Sequence, residues 1–318
     1  MKLLRRLLWA LLLVFIVLNV ILFRQAWRLT HFTPEPGAKV RPEQLSATQR
    51  LALVLTGLPN PRPRNVQVPS FPYQTVRLPS PVGELEAWYA TPATQPVRGA
   101  VALFHGYGSS KGHLLHEAAT FRDLGWAVLL VDQPGSGGSA GSRTTIGYDE
   151  AEAVVVAAKY LRQLPGGARR PLVLYGISMG AAAIMRAEAE LGVRPTANIL
   201  ECPYGTMRQT VINRFRAMHV PALGLADMLV FWGGVQNGFW AYGLRPEEFA
   251  HHIQTPTLLL WGQRDRRVTP AETDSIFAHL AGPKRRVNFP RAGHEPYWRL
   301  YPQQWQQAVA GWLTQQAP

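Results

Sequence analysis

Residues 171–183 read PLVLYGISMGAAA. An apolar, β-type run passes without a loop into a serine flanked by Gly176 and Gly180, and then into three alanines. That order suits a strand that turns at once into a helix, with Ser178 at the tip of the turn. So tight a turn leaves no room for a Cβ at the flanking positions, and the serine itself must take a strained backbone conformation. Ala181, Ala182 and Ala183 keep the first helical turn thin enough to lie close to a sheet. The helix N-terminus adds partial positive charge beside the serine.

A glycine-x-serine-x-glycine match is weak evidence by itself in a chain with 28 glycines. A second match, Gly137 to Gly141 in DQPGSGGSAGS, runs on into polar turn residues, so no strand-to-helix elbow is expected there. The same stretch holds a nominal G-x-G-x-x-A fingerprint from Gly135 to Ala140. It lacks both the immediately following helix and a strand-ending acid about twenty residues on, so no dinucleotide cofactor is expected.

Working outward, YQTVRL and ELEAWYA on either side of the turn SPVG predict an antiparallel start from Tyr73. Six further runs follow: AVALF (100–104), AVLLV (127–131), PLVLY (171–175), ANILE (197–201), TPTLLLW (255–261) and RRVNF (285–289). Helical patterns lie between them, around 113–124, 147–163, 179–191 and 270–280. Continuous apolar runs separated by helices mean strands buried on both faces of a mostly parallel sheet. In such sheets ligands bind beyond the carboxyl ends of the strands. The residues there are His105-Gly106-Tyr107-Gly108 after AVALF, Ser178 after PLVLY, Asp265 after TPTLLLW, and His294 after RRVNF. Four strands thus deliver a glycine-rich loop, a hydroxyl, a carboxylate and an imidazole to one edge.

Taken together, the HG loop, DQPGSGGS, GISMG, WGQRDRRVTP and AGHEP resemble the serine hydrolases of the α/β-hydrolase superfamily over about Tyr73 to Thr314. The capped esterases, monoacylglycerol-lipase-like enzymes and serine-aminopeptidase-like proteins are the nearest branches. The resemblance implies an eight-stranded, mostly parallel sheet flanked by helices, with a helical lid after the sixth strand, here Pro203–Gln254. It implies Ser178 as nucleophile, His294 as its base and Asp265 as the acid that orients the imidazole. The Tyr107 and Met179 amides would form the oxyanion hole, with His105, Gly106, Gly176 and Gly180 supporting the site. It implies no metal and no organic cofactor. The expected substrate is a small-molecule or lipid ester; amide or peptide hydrolysis, thioester cleavage and acyl transfer use the same acyl-enzyme and stay open. A non-catalytic tethered binding protein is the least favoured alternative.

The net charge of +13 on 318 residues looks at first like a nucleic-acid signal. Seven of the basic side chains fall in residues 1–41, against Glu35 alone, and the remaining arginines are scattered. Solvated surface and attraction to anionic lipid account for this pattern, and no nucleic-acid partner is expected. Leu7 to Phe23 is a 17-residue apolar stretch whose one polar member is Asn19, bounded by Arg5-Arg6 and Arg24. It reads as an uncleaved signal anchor, because no small-residue pair suited to cleavage follows it. The organisation expected is therefore an anchor over 1–30, a proline-rich tether over 31–72 with one amphipathic helix at Pro42–Thr56, and a hydrolase domain over 73–318. A single-pass membrane protein with its domain on the extracytoplasmic side follows, and the sequence fixes no oligomeric state.

Other polar residues read more plainly. Asp132 is expected to brace its loop, and the His113–His116 and His251–His252 pairs to lie on helix surfaces without further metal ligands. Cys202 is the sole cysteine, which excludes an intrachain disulfide. The lid aromatics, among them Phe231, Trp232, Phe239 and Trp240, suit either a small core or an apolar acyl pocket.

Overall fold

In the computed structural model the described residues are 1–34, 59–92, 95–222 and 224–316, with positions 46, 48, 49, 52, 53 and 57. The amphipathic helix expected over Pro42–Thr56 falls for the most part outside them. Eight strands form one sheet: β1 Gln74–Leu78, β2 Leu85–Ala90, β3 Gly99–Phe104, β4 Trp126–Val131, β5 Leu172–Ile177, β6 Ala197–Glu201, β7 Thr257–Gly262 and β8 Lys284–Phe289. Their spatial order is β1-β2-β4-β3-β5-β6-β7-β8. The β1–β2 and β2–β4 pairs are antiparallel, and all the others are parallel. The helices are α1 Lys2–Thr30, α2 Leu115–Asp123, α3 Glu150–Gln163, α4 Met179–Glu190, α5 Met207–Ala217, α6 Leu225–Asn237, α7 Pro246–Phe249, α8 Pro270–His279 and α9 Pro302–Gln316.

The pleat explains the layering. Along β3 and β4, Ala102, Phe104, Leu129 and Val131 join one buried cluster with α3, α4 and α8. Their neighbours Val101, Leu103, Val128 and Leu130 join another with α2 and the tryptophans Trp305 and Trp312 of α9. Alternate side chains of a continuously apolar strand thus feed two cores, giving helix layers on both faces. The edges are polar, with Lys284, Arg285 and Arg286 starting β8 and partly or largely exposed, which discourages pairing with another chain.

The segment between β6 and β7 carries α5, α6 and α7. It is the helical lid expected after the sixth strand. The N-terminal helix is long and apolar enough to cross a membrane. Its 29 residues rise about 43 Å, more than a bilayer core of about 30 Å needs. Near its C-terminal end Leu22, Ala26 and Thr30, spaced on one helix face, are buried against the rest of the protein. Alongside α6, the Trp232 indole donates to Asn19 Oδ1 at 3.2 Å and Gln236 Nε2 donates to the Phe23 carbonyl at 2.7 Å. Asn19 in turn donates to the Phe15 carbonyl at 2.8 Å, so the one polar side chain of the apolar stretch is hydrogen-bonded as both donor and acceptor.

Candidate active site

Ser178 sits between β5 and α4 with φ 53° and ψ −107°, a conformation that L side chains rarely adopt. Its neighbours explain how the chain tolerates it. A Cβ on Gly180 would lie 2.3 Å from the Phe104 carbonyl oxygen, and one on Gly176 would lie 2.6 Å from the Ala181 nitrogen. The Ser178 amide donates to the Glu201 carbonyl at 2.7 Å, and the Ser178 carbonyl accepts from Ala182 at 2.9 Å. The elbow is thus pinned to β6 on one side and to its own helix on the other.

The loops after β7 and β8 bring the acid and the imidazole to the same edge. His294 Nε2 lies 3.0 Å from Ser178 Oγ, and His294 Nδ1 lies 2.7 Å from Asp265 Oδ2. Asp265 is buried, and its other oxygen accepts from the Arg267 and Val268 amides at 2.7 and 2.9 Å. With the carboxylate held in this way, Nδ1 carries the proton and the Nε2 lone pair faces the serine hydroxyl. An unbroken chain of hydrogen bonds therefore runs from Ser178 through His294 to Asp265.

The loop after β3 faces the elbow closely, since a Cβ on Gly106 would stand 3.7 Å from the Ser178 Cβ. Among the described residues, neither the Tyr107 amide nor the Met179 amide donates to a protein acceptor. His105 holds this loop without titrating near neutrality. Its Nε2 accepts from the Gln133 amide at 3.0 Å and its Nδ1 donates to the Gly106 carbonyl at 2.9 Å. Burial pulls its pKa down to about 4, so the ring is neutral and both nitrogens are occupied. Asp132 braces the next loop: it accepts from the Lys111 and Gly138 amides at 2.9 and 2.8 Å and pairs with the buried Lys111 ammonium.

Several contacts left no mark in the sequence pattern. Asn213 of α5 donates to the Arg267 carbonyl at 2.9 Å and to Glu272 at 2.8 Å, which ties the lid to the Asp265 loop. Glu272 also completes a capping box with Thr269, the one part of this network legible as T-x-x-E. From the other side, the Tyr107 hydroxyl donates to the Leu29 carbonyl in the last turn of α1, at 2.7 Å. The Thr144 amide donates to Thr30 at 2.8 Å, and the Thr144 hydroxyl lies 3.4 Å from the Met179 sulfur.

The histidine pairs are surface features: His116 stacks on Trp298 at 4.1 Å and His251 on His279 at 4.0 Å. Cys202, Asp265 and His294 place possible ligand atoms within 4.8 Å of one another. Two of these are already joined in the Asp–His hydrogen bond, and burial raises the thiol well above its ordinary pKa. A metal would have to break that bond and deprotonate that thiol.

Residues 95–238 match the family described as serine aminopeptidase, S33. The chain is 25% identical over 211 residues to the uncharacterized protein YqkD of Bacillus subtilis, covering 65% of this chain and 68% of that one. The Pyrococcus furiosus esterase Pf2001 superposes with a TM-score of 0.67 at 20% identity, over 81% of this chain and 98% of the esterase. An acylaminoacyl peptidase of Pyrococcus horikoshii gives a TM-score of 0.61 at 17% identity, over 78% of this chain and 42% of the peptidase.

Proposed function

We propose, from the family match over residues 95–238 and the shared fold, that the chain is an α/β-hydrolase and a membrane-anchored serine hydrolase that cleaves carboxylic esters, with acyl or lipid-like substrates favoured. One observation carries the reading: the continuous Ser178–His294–Asp265 hydrogen-bond path on an elbow whose serine has a positive φ.

Ser178 Oγ attacks the ester carbonyl while His294 Nε2 takes its proton. Asp265 keeps the imidazole in the required tautomer and stabilises its cationic form. The carbonyl oxygen, now negative, accepts from the Tyr107 and Met179 amides, each worth about 3 kcal/mol of transition-state stabilisation. As the tetrahedral species collapses, the C–O bond to the alcohol breaks and His294 returns the proton to the leaving oxygen. Water then attacks the acyl-enzyme with His294 as base, releasing the acid and restoring Ser178.

The lipid-like preference rests on the lid and on α1. Phe231, Val235 and Trp240 are exposed on or beside α6, next to a helix whose apolar residues from Leu3 to Val20 are also mostly exposed. Large apolar surfaces of this kind favour a membrane neighbour. Arg5 and Arg6 before the apolar stretch support an orientation with the domain on the extracytoplasmic side. A reporter that is active only outside the cytoplasm, fused after Pro318, tests that orientation.

The match to a serine aminopeptidase family favours a second reading, hydrolysis of an amide or peptide bond by the same residues. Fluorophosphonate labelling of membranes, followed by turnover of acyl esters of graded length and of acyl-peptides, separates the two. The ester reading requires Ser178 to be labelled, Ser178→Ala to abolish both signals, and esters to be turned over faster than acyl-peptides. Peptides as the better substrates would favour the second reading, and an unlabelled Ser178 would remove both.

A further inference from the structure

The lid carries a guanidinium that no carboxylate among the described residues neutralises. Other arginines pair with carboxylates: Arg208 with Asp227 at 2.6 Å, Arg245 with Glu248 at 2.9 Å and Arg186 with Glu190 at 2.8 Å. Arg214, on the inner side of α5, has no such pair among the described residues. Its guanidinium is instead hydrogen-bonded to the neutral Tyr107 side chain, with Cζ 4.9 Å from the centroid of that ring. A second guanidinium, Arg267, is near enough to repel it, and Tyr204 lies close by. Burial pulls the pKa of the Arg214 guanidinium below its ordinary value. A cation–π contact and a hydrogen bond to an uncharged hydroxyl offset only part of the cost of withdrawing such a charge from water.

The position is as telling as the missing partner. Tyr107 belongs to the loop whose Gly106 approaches Ser178. Arg267 follows the acid Asp265 by two residues, and Tyr204 follows Cys202, whose sulfur lies within 4.8 Å of the Asp265 and His294 ligand atoms. The neighbours of Arg214 therefore come from the oxyanion loop, the acid loop and the turn after β6. Asn213 fixes the helix one residue away by its bonds to Arg267 and Glu272. Arg214 thus bridges the lid and the oxyanion loop from a rigid support, beside the residues that handle the scissile bond.

We propose that Arg214 is an anion subsite of this hydrolase, and that its substrates are esters bearing a phosphate or carboxylate a few bonds from the scissile carbonyl. The inference rests on the serine-hydrolase reading and adds to it the charge class of the substrate. A guanidinium is the side chain best suited to the role, because its planar fork takes two oxygens of a phosphate or carboxylate at once. The anion supplies a countercharge that no described carboxylate provides, and it fixes the ester relative to the Tyr107 amide. An anionic bilayer would present such molecules next to the lid.

The test uses full-length protein in membranes and three esters of one acyl chain: a monoacylglycerol, a 1-acylglycerol 3-phosphate and an acyl ester of glycerate. The expected result is a kcat/KM at least about tenfold higher for one or both anionic esters than for the neutral one. The phosphate and glycerate arms say which oxyanion fits better. Arg214→Gln should collapse that ratio, chiefly through KM, and Arg214→Lys should retain part of it. Glycerol 3-phosphate, but not glycerol, should slow fluorophosphonate labelling of Ser178 in the wild type. A wild-type protein that is labelled and turns over all three esters alike overturns the subsite while leaving the hydrolase reading intact. So does Arg214→Gln lowering neutral and anionic turnover in equal proportion. A wild-type protein that is neither labelled nor active removes the hydrolase reading, and this inference with it.

Discussion

The Tyr107 hydroxyl donates to the Leu29 carbonyl across 2.7 Å, joining the loop after β3 to the last turn of the membrane-length helix. The carbonyls at a helix C-terminus lack intrahelical partners, and here two of them, on Leu29 and Thr30, are satisfied by Tyr107 and Thr144. The helix is therefore part of the support for the catalytic edge. Tyr107→Phe keeps the ring beside Arg214 and removes the hydroxyl with its hydrogen bonds to Leu29, Arg214 and Asn60. Losing about 1 kcal/mol of hydrogen bonding should slow phosphonylation of Ser178 roughly fivefold. Deleting residues 1–31 should slow it further, because it also uncovers the α6 face that α1 covers. Measured labelling rates that match full-length protein in both variants would separate the helix from the site.

The Ser178–His294–Asp265 hydrogen-bond chain predicts a steep and non-additive loss. Asp265→Asn preserves the shape but favours the wrong imidazole tautomer, and kcat should fall on the order of ten-thousandfold. Ser178→Ala should remove ester turnover altogether. The double variant Ser178→Ala/His294→Ala should be no worse than the single one, since the two groups act as a unit. Single-turnover assays on the three variants check this; additive losses would contradict it.

How much of this was legible depends on what kind of signal each residue leaves. AVLLV and TPTLLLW announce strands because burial on both faces demands unbroken apolar runs, and β4 and β7 lie where those runs predict. The elbow was legible because sterics restrict its glycines, and Gly180 meets the Phe104 backbone as the tight turn requires. Arg214 and Asn213 were not legible: a polar residue on a lid helix looks the same whether it faces water or the site. The docking of α1 was hidden for the opposite reason. Leu22 and Ala26 are apolar in an apolar stretch, so the exposed and protein-facing sides share one composition.

Glycine substitutions separate steric need from mere tolerance. Gly180→Ala would place a methyl 2.3 Å from the Phe104 oxygen, which is backbone and cannot step aside. That variant should be destabilised by several-fold more than an ordinary surface change, about 3 kcal/mol or more, and should lose labelling. Gly233→Ala offers the contrast. It lies inside α6 with open space around its Cβ position. Helix propensity then predicts a gain of up to about 1 kcal/mol, visible as a raised melting temperature.

Buried acids set a pH dependence of stability that is independent of catalysis. Glu117 of α2 is 2% exposed, and its Oε2 has no hydrogen-bond partner among the described residues. Burial, reinforced by the nearby Glu201 carboxyl, raises its pKa from 4.5 to about 8. A carboxyl whose folded pKa is raised favours the native state while it stays protonated. Its contribution is complete below about pH 4.5 and is lost as pH rises towards 8. Glu188 and Glu201, both raised to about 7, add to the same slope. Stability of the wild type should therefore fall between pH 5 and pH 8. Glu117→Gln removes the ionisation while keeping the volume, so it should match the wild type near pH 5 and exceed it at pH 8, by up to about 4 kcal/mol. Melting curves of the two proteins at several pH values measure the difference. Parallel curves would mean that Glu117 ionises freely in the folded protein and that its burial carries no penalty.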